Sequence, residues 1–168
     1  MNVGYNALRT SSFNRTSLAN ADVGIMLGMM NSDHVQQISR LPGPYDMTGN
    51  GISFAASRLS FVFAVRGPCI ATDTACSSSL VATHIAIRLI QNKECPDAVS
   101  IGSNCILSPR GAFSMFAIAG MLSSHGRCHT FDSRANGYQR GEGGAAVVSS
   151  SSGEHRLVYS GSSCLHNG

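Results

Sequence analysis

Short apolar blocks alternate with longer periodic blocks along this chain of 168 residues. The short blocks have the length and composition of buried strands. We predict strands at 23–29, 69–74, 98–102, 144–149 and 157–161.

The longer blocks carry the period of a helix. Apolar residues at positions 52, 55, 56, 59, 62 and 63 predict a helix over 52–64. A second helix is predicted over 77–92, and we expect it to be central and buried because almost every face is apolar. A third is predicted over 113–122, whereas 31–51 is rich in turn residues. Strands alternating with helices indicate an α/β fold with a parallel or mixed sheet.

Cys76 follows the predicted strand 69–74 and precedes the predicted helix 77–92. A sharp strand-to-helix turn exposes a side chain and directs the N–H groups of a helix start toward it. Such a setting stabilises a thiolate, which is the nucleophilic form of cysteine. The sequence therefore predicts that Cys76 is a nucleophile; the alternative is a buried structural thiol.

Composition and charge exclude several classes of protein. Charged residues form 12% of the chain, against about 25% in ordinary globular domains. We therefore expect part of the surface to be covered by a partner subunit or by further sequence. The net charge of +3 is spread singly, which argues against nucleic-acid binding. No apolar run reaches the ~20 residues of a membrane span, and 1–10 lacks the apolar core of a secretory signal, so we expect a cytoplasmic protein.

The six cysteines show no Cys-x-x-Cys spacing, which argues against a disulfide framework and against a zinc site. Besides Cys76, the cysteines are interpreted as small core residues. These are Cys69, Cys95, Cys105, Cys128 and Cys164.

The segment around Cys76, 73–80 (DTACSSSL), resembles the active-site segment of β-ketoacyl synthases, the condensing domains of polyketide and fatty acid synthases. Other segments resemble that family in order and spacing: 48–50 (TGN), 55–60 (AASRLS), 106–109 (ILSP), 119–123 (AGMLS), 126–132 (GRCHTFD) and 137–143 (GYQRGEG). The resemblance extends from about Val23 onward.

The resemblance implies a thiolase-like, layered α/β/α/β/α fold of two similar halves. Residues 1–168 would form the N-terminal half, truncated at both ends. It further implies that Cys76 accepts an acyl group from the phosphopantetheine of an acyl carrier protein. A malonyl-type unit then loses carbon dioxide, and its carbanion attacks the thioester. The chain would need no cofactor of its own, and it would form a homodimer through the strand 69–74.

The family's two catalytic histidines lie in His-Gly-Thr-Gly and Asn-Ile-Gly-His segments, which do not occur in this sequence. The chain's histidines are interpreted as surface or core residues: His34, His84, His125, His129, His155 and His166. Two main hypotheses follow. Either the protein makes carbon–carbon bonds through Cys76, or it is a catalytically incomplete ketosynthase fragment that acts only in dimerisation or interaction. A slow thioesterase is a third.

Other candidate motifs have weaker support. The segment 141–146 satisfies a dinucleotide-binding formula, but a strand rather than a helix is predicted to follow it. Asp132 and Glu142 are interpreted as loop anchors rather than as catalytic carboxylates. For Met115, Phe116 and Met121, both an acyl tunnel and ordinary core packing remain open.

Overall fold

The computed structural model describes residues 1–30, 43–106 and 109–152, without the side chains of 109–112. The helices are α1 (Asn2–Thr10), α2 (Arg15–Leu18), α3 (Asp46–Asn50), α4 (Ile52–Phe63), α5 (Ser78–Gln91) and α6 (Pro109–Ile118). The strands are β1 (Val23–Gly28), β2 (Cys69–Thr72), β3 (Asp97–Asn104) and β4 (Gly143–Ser150). A 3-10 turn, Ala75–Ser77, precedes α5. The predicted strand 157–161 lies outside the described residues.

The four strands form one mixed sheet in the order β2-β1-β3-β4. Strand β1 is parallel to β2 and β3, whereas β4 is antiparallel to β3. Gly28 at the end of β1 is paired with Thr72 on one side and Gly102 on the other. The carboxyl ends of three strands therefore meet at one edge of the sheet, where α5 begins.

Helices cover both faces of this sheet. Alternate residues of β1 point to opposite faces, as strand geometry requires. Val23 and Ile25 join a cluster with α1 and α4, whereas Met26 joins a second cluster with α5. Every residue of β1 is buried because helices pack on both faces. The described residues thus form helix, sheet and helix layers.

Helix α5 is less buried than its sequence predicts. Its buried residues, Ser78, Ala82, Ala86 and Leu89, form one stripe, and Leu80 on another face is 72% exposed. The expectation of a helix buried on all sides is wrong for the described chain, because the sheet covers one side of α5 only. None of the described helices combines the length and apolar content needed to cross a membrane.

Helix α6 begins and ends four residues earlier than predicted. Gly120 has φ +68°, a left-handed conformation that suits glycine. The N–H groups of Gly120 and Met121 donate to the carbonyl groups of Ala117 and Phe116. This pattern is a Schellman motif, which ends the helix before residue 122. Within the turn-rich segment 31–51, the part that is described includes the short helix α3.

The expectation that the other cysteines are core residues is confirmed only for Cys95, which is buried. Cys69, Cys105 and Cys128 are exposed. Cys69 lies on the edge strand β2, and Cys105 follows the last residue of β3, so neither has neighbours on all sides. Cys164 lies outside the described residues.

Candidate active site at the start of helix α5

Cys76 lies in the turn between β2 and α5 and is exposed. Ala75, immediately before it, has φ 55°, in the left-handed region that alanine seldom occupies. The chain therefore reverses sharply at this point, as the sequence predicts, and the Cys76 side chain stands outside the packed core.

Hydrogen bonds brace this turn on both sides of Cys76. Ser78 is 3% exposed. Its hydroxyl accepts from the N–H of Thr74 at 2.8 Å and donates to the carbonyl of Ala75 at 2.7 Å. The N–H of Ala75 also donates to an Asp73 carboxylate oxygen at 2.9 Å. These bonds satisfy polar groups at the start of α5 and oppose relaxation of the left-handed residue.

Two glycines let the start of α5 lie directly on the sheet. A Cβ atom at Gly28 would lie 2.2 Å from the carbonyl oxygen of Ser78, and one at Gly102 would lie 2.7 Å from the Ser79 Cβ. Carbon atoms that are not bonded to these atoms cannot approach them so closely. Glycine at both positions therefore sets the height of the Cys76 turn above the sheet.

Cys76 lines a cavity of about 690 Å³ between α5, the ends of β1 and β3, and β4. Thr83 and Ser100 also line it. The Thr83 hydroxyl bonds to the Ser79 carbonyl at 2.9 Å and to the Ser100 hydroxyl at 3.1 Å. The cavity wall is thus held by bonds between α5 and β3. Its volume falls in the ~300–1,000 Å³ typical of small-molecule sites.

Cys95 differs from Cys76 in its surroundings. It is 2% exposed beneath α5, and burial raises the pKa of its thiol. A raised pKa lowers the thiolate fraction at neutral pH, so Cys95 is unsuited to nucleophilic chemistry.

The two candidate carboxylates anchor loops, as predicted. Asp132 is bonded to the Arg134 guanidinium at 2.7 Å, and this pairing lowers the pKa of the Asp132 carboxyl. Glu142 accepts from the N–H of Ile106 at 2.5 Å. Strand β4 begins at Gly143, inside the glycine-rich segment 141–146, where a dinucleotide-binding motif would require a loop that opens a helix; the motif is therefore contradicted.

The three candidate tunnel residues lie outside the cavity of the described chain. Met115 and Met121 are 60% and 45% exposed, so core packing is wrong for both. Phe116 is half-buried and contacts Tyr138 and Arg140.

None of the described histidines lines the cavity beside Cys76. The exposed His84 and His125 and the half-buried His129 are absent from the described lining of the cavity. His125 Nδ1 lies 3.0 Å from the Asn136 amide. His34, His155 and His166 lie outside the described residues.

Arg140 is a cavity residue that the sequence analysis does not single out. The signals in the sequence are its place as a lone cation in the glycine-rich segment 137–143, and the resemblance of that segment to the β-ketoacyl synthase family.

Residues 1–153 match the model of the β-ketoacyl synthase N-terminal domain. The chain is 39% identical over 151 residues to the highly reducing polyketide synthase dmxL2 of Cryptosporiopsis sp. (strain 8999), covering 88% of this chain and 6% of that protein. It is 40% identical over 148 residues to the non-reducing polyketide synthase olcA of Penicillium canescens, covering 86% of this chain and 6% of that protein.

Solved structures agree in fold. A ketosynthase from module 6 of the bacillaene synthase from Bacillus subtilis 168 superposes with a TM-score of 0.76 at 36% identity, covering 86% of this chain and 24% of that one. The oxazolomycin ketosynthase domain OzmH KS7 of Streptomyces albus JA3453 superposes with a TM-score of 0.71 at 32% identity. That match covers 84% of this chain and 25% of the ketosynthase chain.

The chain therefore spans about a quarter of these ketosynthase structures and a small part of the curated synthases. Its mixed sheet with helices on both faces agrees with the expected thiolase-like architecture. The family match begins at residue 1, earlier than the motifs from Val23 onward indicate. On these grounds, this chain belongs to the β-ketoacyl synthase family and carries its N-terminal domain.

Proposed function

We propose that residues 1–168 act as the nucleophile-bearing part of a ketosynthase, with Cys76 as the acyl acceptor. One observation carries the proposal. In a chain of this family, Cys76 is exposed on a braced strand-to-helix turn and faces a cavity of about 690 Å³. Exposure leaves the Cys76 sulfur accessible to an acyl thioester, which nucleophilic catalysis requires.

In the proposed step, the Cys76 thiolate attacks the carbonyl carbon of an acyl thioester on an acyl carrier protein. The new Sγ–C bond forms as the bond between that carbon and the phosphopantetheine sulfur breaks, and the released thiolate takes up a proton. N–H groups in the first turn of α5 are suited to stabilise the oxyanion of the tetrahedral intermediate. The step transfers an acyl group and requires no resident cofactor.

The second proposed step is decarboxylative condensation with a malonyl-type unit, in polyketide or fatty acid biosynthesis. The family uses two histidines for this step, and the segments that carry them do not occur in this sequence. We therefore assign acyl transfer to the present residues, and condensation to their combination with histidines supplied by further sequence or by another chain.

The proposed partners are an acyl carrier protein and a second copy of this chain. Strand β2 is an edge strand of the described sheet, in which it pairs with β1 alone. Phe61 and Val62 at the end of α4, which packs beside β2, are 87% and 43% exposed. An unpaired edge beside exposed apolar residues favours pairing between two copies. A cytoplasmic location stays a prediction.

The test is the mass of the purified chain after incubation with an acetyl thioester of pantetheine. An adduct of one acetyl group on the Cys76 peptide, absent from Cys76→Ala, would support the proposal. A folded protein without an adduct would favour the catalytically incomplete fragment. Steady release of acetate, with no lasting adduct, would favour the thioesterase. Condensation by this chain alone would contradict the assignment of the second step.

A further inference from the structure

The cavity beside Cys76 contains a guanidinium that the acyl-transfer step does not use. Among the described residues that line the cavity, only Arg140 is charged. The ion pair found in the described chain joins Arg134 to Asp132, so no described carboxylate neutralises Arg140. The cavity therefore contains a positive charge in a largely apolar wall.

Aromatic packing holds this guanidinium in place. The Cζ atom of Arg140 lies 4.3 Å from the centroid of the Phe116 ring, which is a cation–π contact. The Phe116 ring packs edge-on against Tyr138, with centroids 6.5 Å apart. A side chain fixed before its ligand arrives loses less conformational entropy on binding.

Part of the hydrogen-bonding capacity of Arg140 is unused in the described chain. Its Nε atom is buried and makes no hydrogen bond there. A buried donor without an acceptor carries a free-energy penalty. The arginine fork matches the paired oxygens of carboxylates and phosphates.

The backbone around Arg140 is tied to the end of β3. The Asn104 amide donates to the carbonyl of Gly141, and Glu142 accepts from the N–H of Ile106. Ser78 and Ser79, in the first turn of α5, line the same cavity. The positive end of the α5 dipole and the Arg140 charge therefore act on one space.

The geometry points to Arg140 as an anion-binding residue of the Cys76 cavity. Its ligand is a negatively charged oxygen group of the incoming thioester, an identification that rests on the proposed function. Two parts of such a substrate supply this chemistry: the phosphate of the pantetheine arm and the carboxylate of a malonyl-type acyl unit.

The first experiment compares alkylation of Cys76 by anionic iodoacetate and by neutral iodoacetamide, followed on the Cys76 peptide by mass spectrometry. In Arg140→Gln, the ratio of the iodoacetate rate to the iodoacetamide rate should fall about tenfold, the equivalent of one charge-assisted hydrogen bond. Arg140→Lys should retain much of the ratio. Arg88→Gln removes an equal charge at the far end of α5 and should leave the ratio unchanged.

An unchanged ratio in folded Arg140→Gln would overturn the assignment. If that variant does not fold, competition in the wild-type chain decides. Inorganic phosphate or malonate should slow the iodoacetate reaction more than chloride at equal ionic strength. Equal slowing by all three anions would likewise overturn it.

The second experiment identifies the source of the anion. Acylation of Cys76 by acetyl-pantetheine, acetyl-phosphopantetheine and malonyl-pantetheine is compared in the wild type and in Arg140→Gln. If Arg140→Gln slows acylation by the phosphorylated donor alone, the phosphate is the group that Arg140 binds. If it slows acylation by the malonyl donor alone, the carboxylate is that group. Equal effects on all three donors would contradict anion binding during acyl transfer. If no donor acylates the wild type but the alkylation ratio still depends on Arg140, the proposed function fails and the anion site stands.

Discussion

The two faces of the sheet are covered in different ways. On one face, α1, α2 and α4 bury large side chains such as Leu8, Leu18 and Leu59 against Ile25 and Val99. On the other face of the described sheet, α5 packs through Leu89 and through the small residues Ala82 and Ala86, with Gly28 and Gly102 beneath its start.

This difference separates stability from chemistry. Large side chains on the first face remove much apolar area from water, which is the main source of folding free energy. Small residues on the second face let helix and sheet backbones approach closely, and they leave the cavity of about 690 Å³ beside Cys76. One face therefore holds the fold together, and the other positions Cys76, the proposed nucleophile.

The largest expected effect is on the face of the sheet that α5 covers. Cys76→Ala should abolish acylation by acetyl-pantetheine, because no other described cysteine lines the cavity. The free energy of unfolding should change by less than about 0.5 kcal/mol, since the residue is exposed. Exposed Cys128→Ala is the matched control and should be acylated normally. Labelling that persists in Cys76→Ala would remove the reason for assigning chemistry to this face.

On the face of the sheet that α1 and α4 cover, we expect substitutions to lower stability. Leu59→Ala should lower the free energy of unfolding by about 2–5 kcal/mol, because it leaves a cavity at a residue that is 2% exposed. Leu80→Ala, at a residue 72% exposed, should cost less than about 0.5 kcal/mol. Urea unfolding measures both. Equal losses would show that burial in this fold does not determine the cost.

A third substitution tests the contact between α5 and the sheet. Gly28→Ala places a Cβ atom 2.2 Å from a backbone oxygen, so the start of α5 must shift. We expect a loss of about 1–3 kcal/mol in the free energy of unfolding, and slower acylation of Cys76. Gly49→Ala is the matched control because a Cβ atom there meets nothing within 4 Å. If the two variants have the same free energy of unfolding and the same acylation rate, close approach at Gly28 is not what positions Cys76.

The smallest effect concerns the hydroxyl that braces the Cys76 turn. Ser78→Ala removes bonds to Thr74 and Ala75, and should lower the free energy of unfolding by about 1 kcal/mol. Acylation should slow because the left-handed turn loses its support. Ser114→Ala, at an exposed residue of α6, serves as the control. Full acylation rates in Ser78→Ala would show that the backbone alone maintains the turn.

Much of the fold is predictable from local patterns. Strands β1 to β4 and helices α4 and α5 lie within a few residues of their predicted positions, because short apolar blocks and helical periods reflect burial on a sheet. Helix α1 is not predicted. Its buried residues Gly4, Ala7 and Leu8 follow the i, i+3, i+4 spacing of a helix face, so the signal is present in the sequence. The end of α6 depends on the left-handed Gly120, which periodicity does not show.

The class of fold, the family resemblance and the position of Cys76 between a strand and a helix can all be inferred from the amino-acid sequence. These features depend on residues close together in the chain, where periodicity and turn chemistry act directly. The buried face of α5 and the exposure of each cysteine depend instead on how the elements pack. The tertiary structure also brought Arg140 to the Cys76 cavity, because strand β4 pairs with β3 and thereby returns the preceding segment to the start of α5. Contacts between residues more than sixty positions apart depend on how the strands are ordered in the sheet, and no local pattern specifies that order.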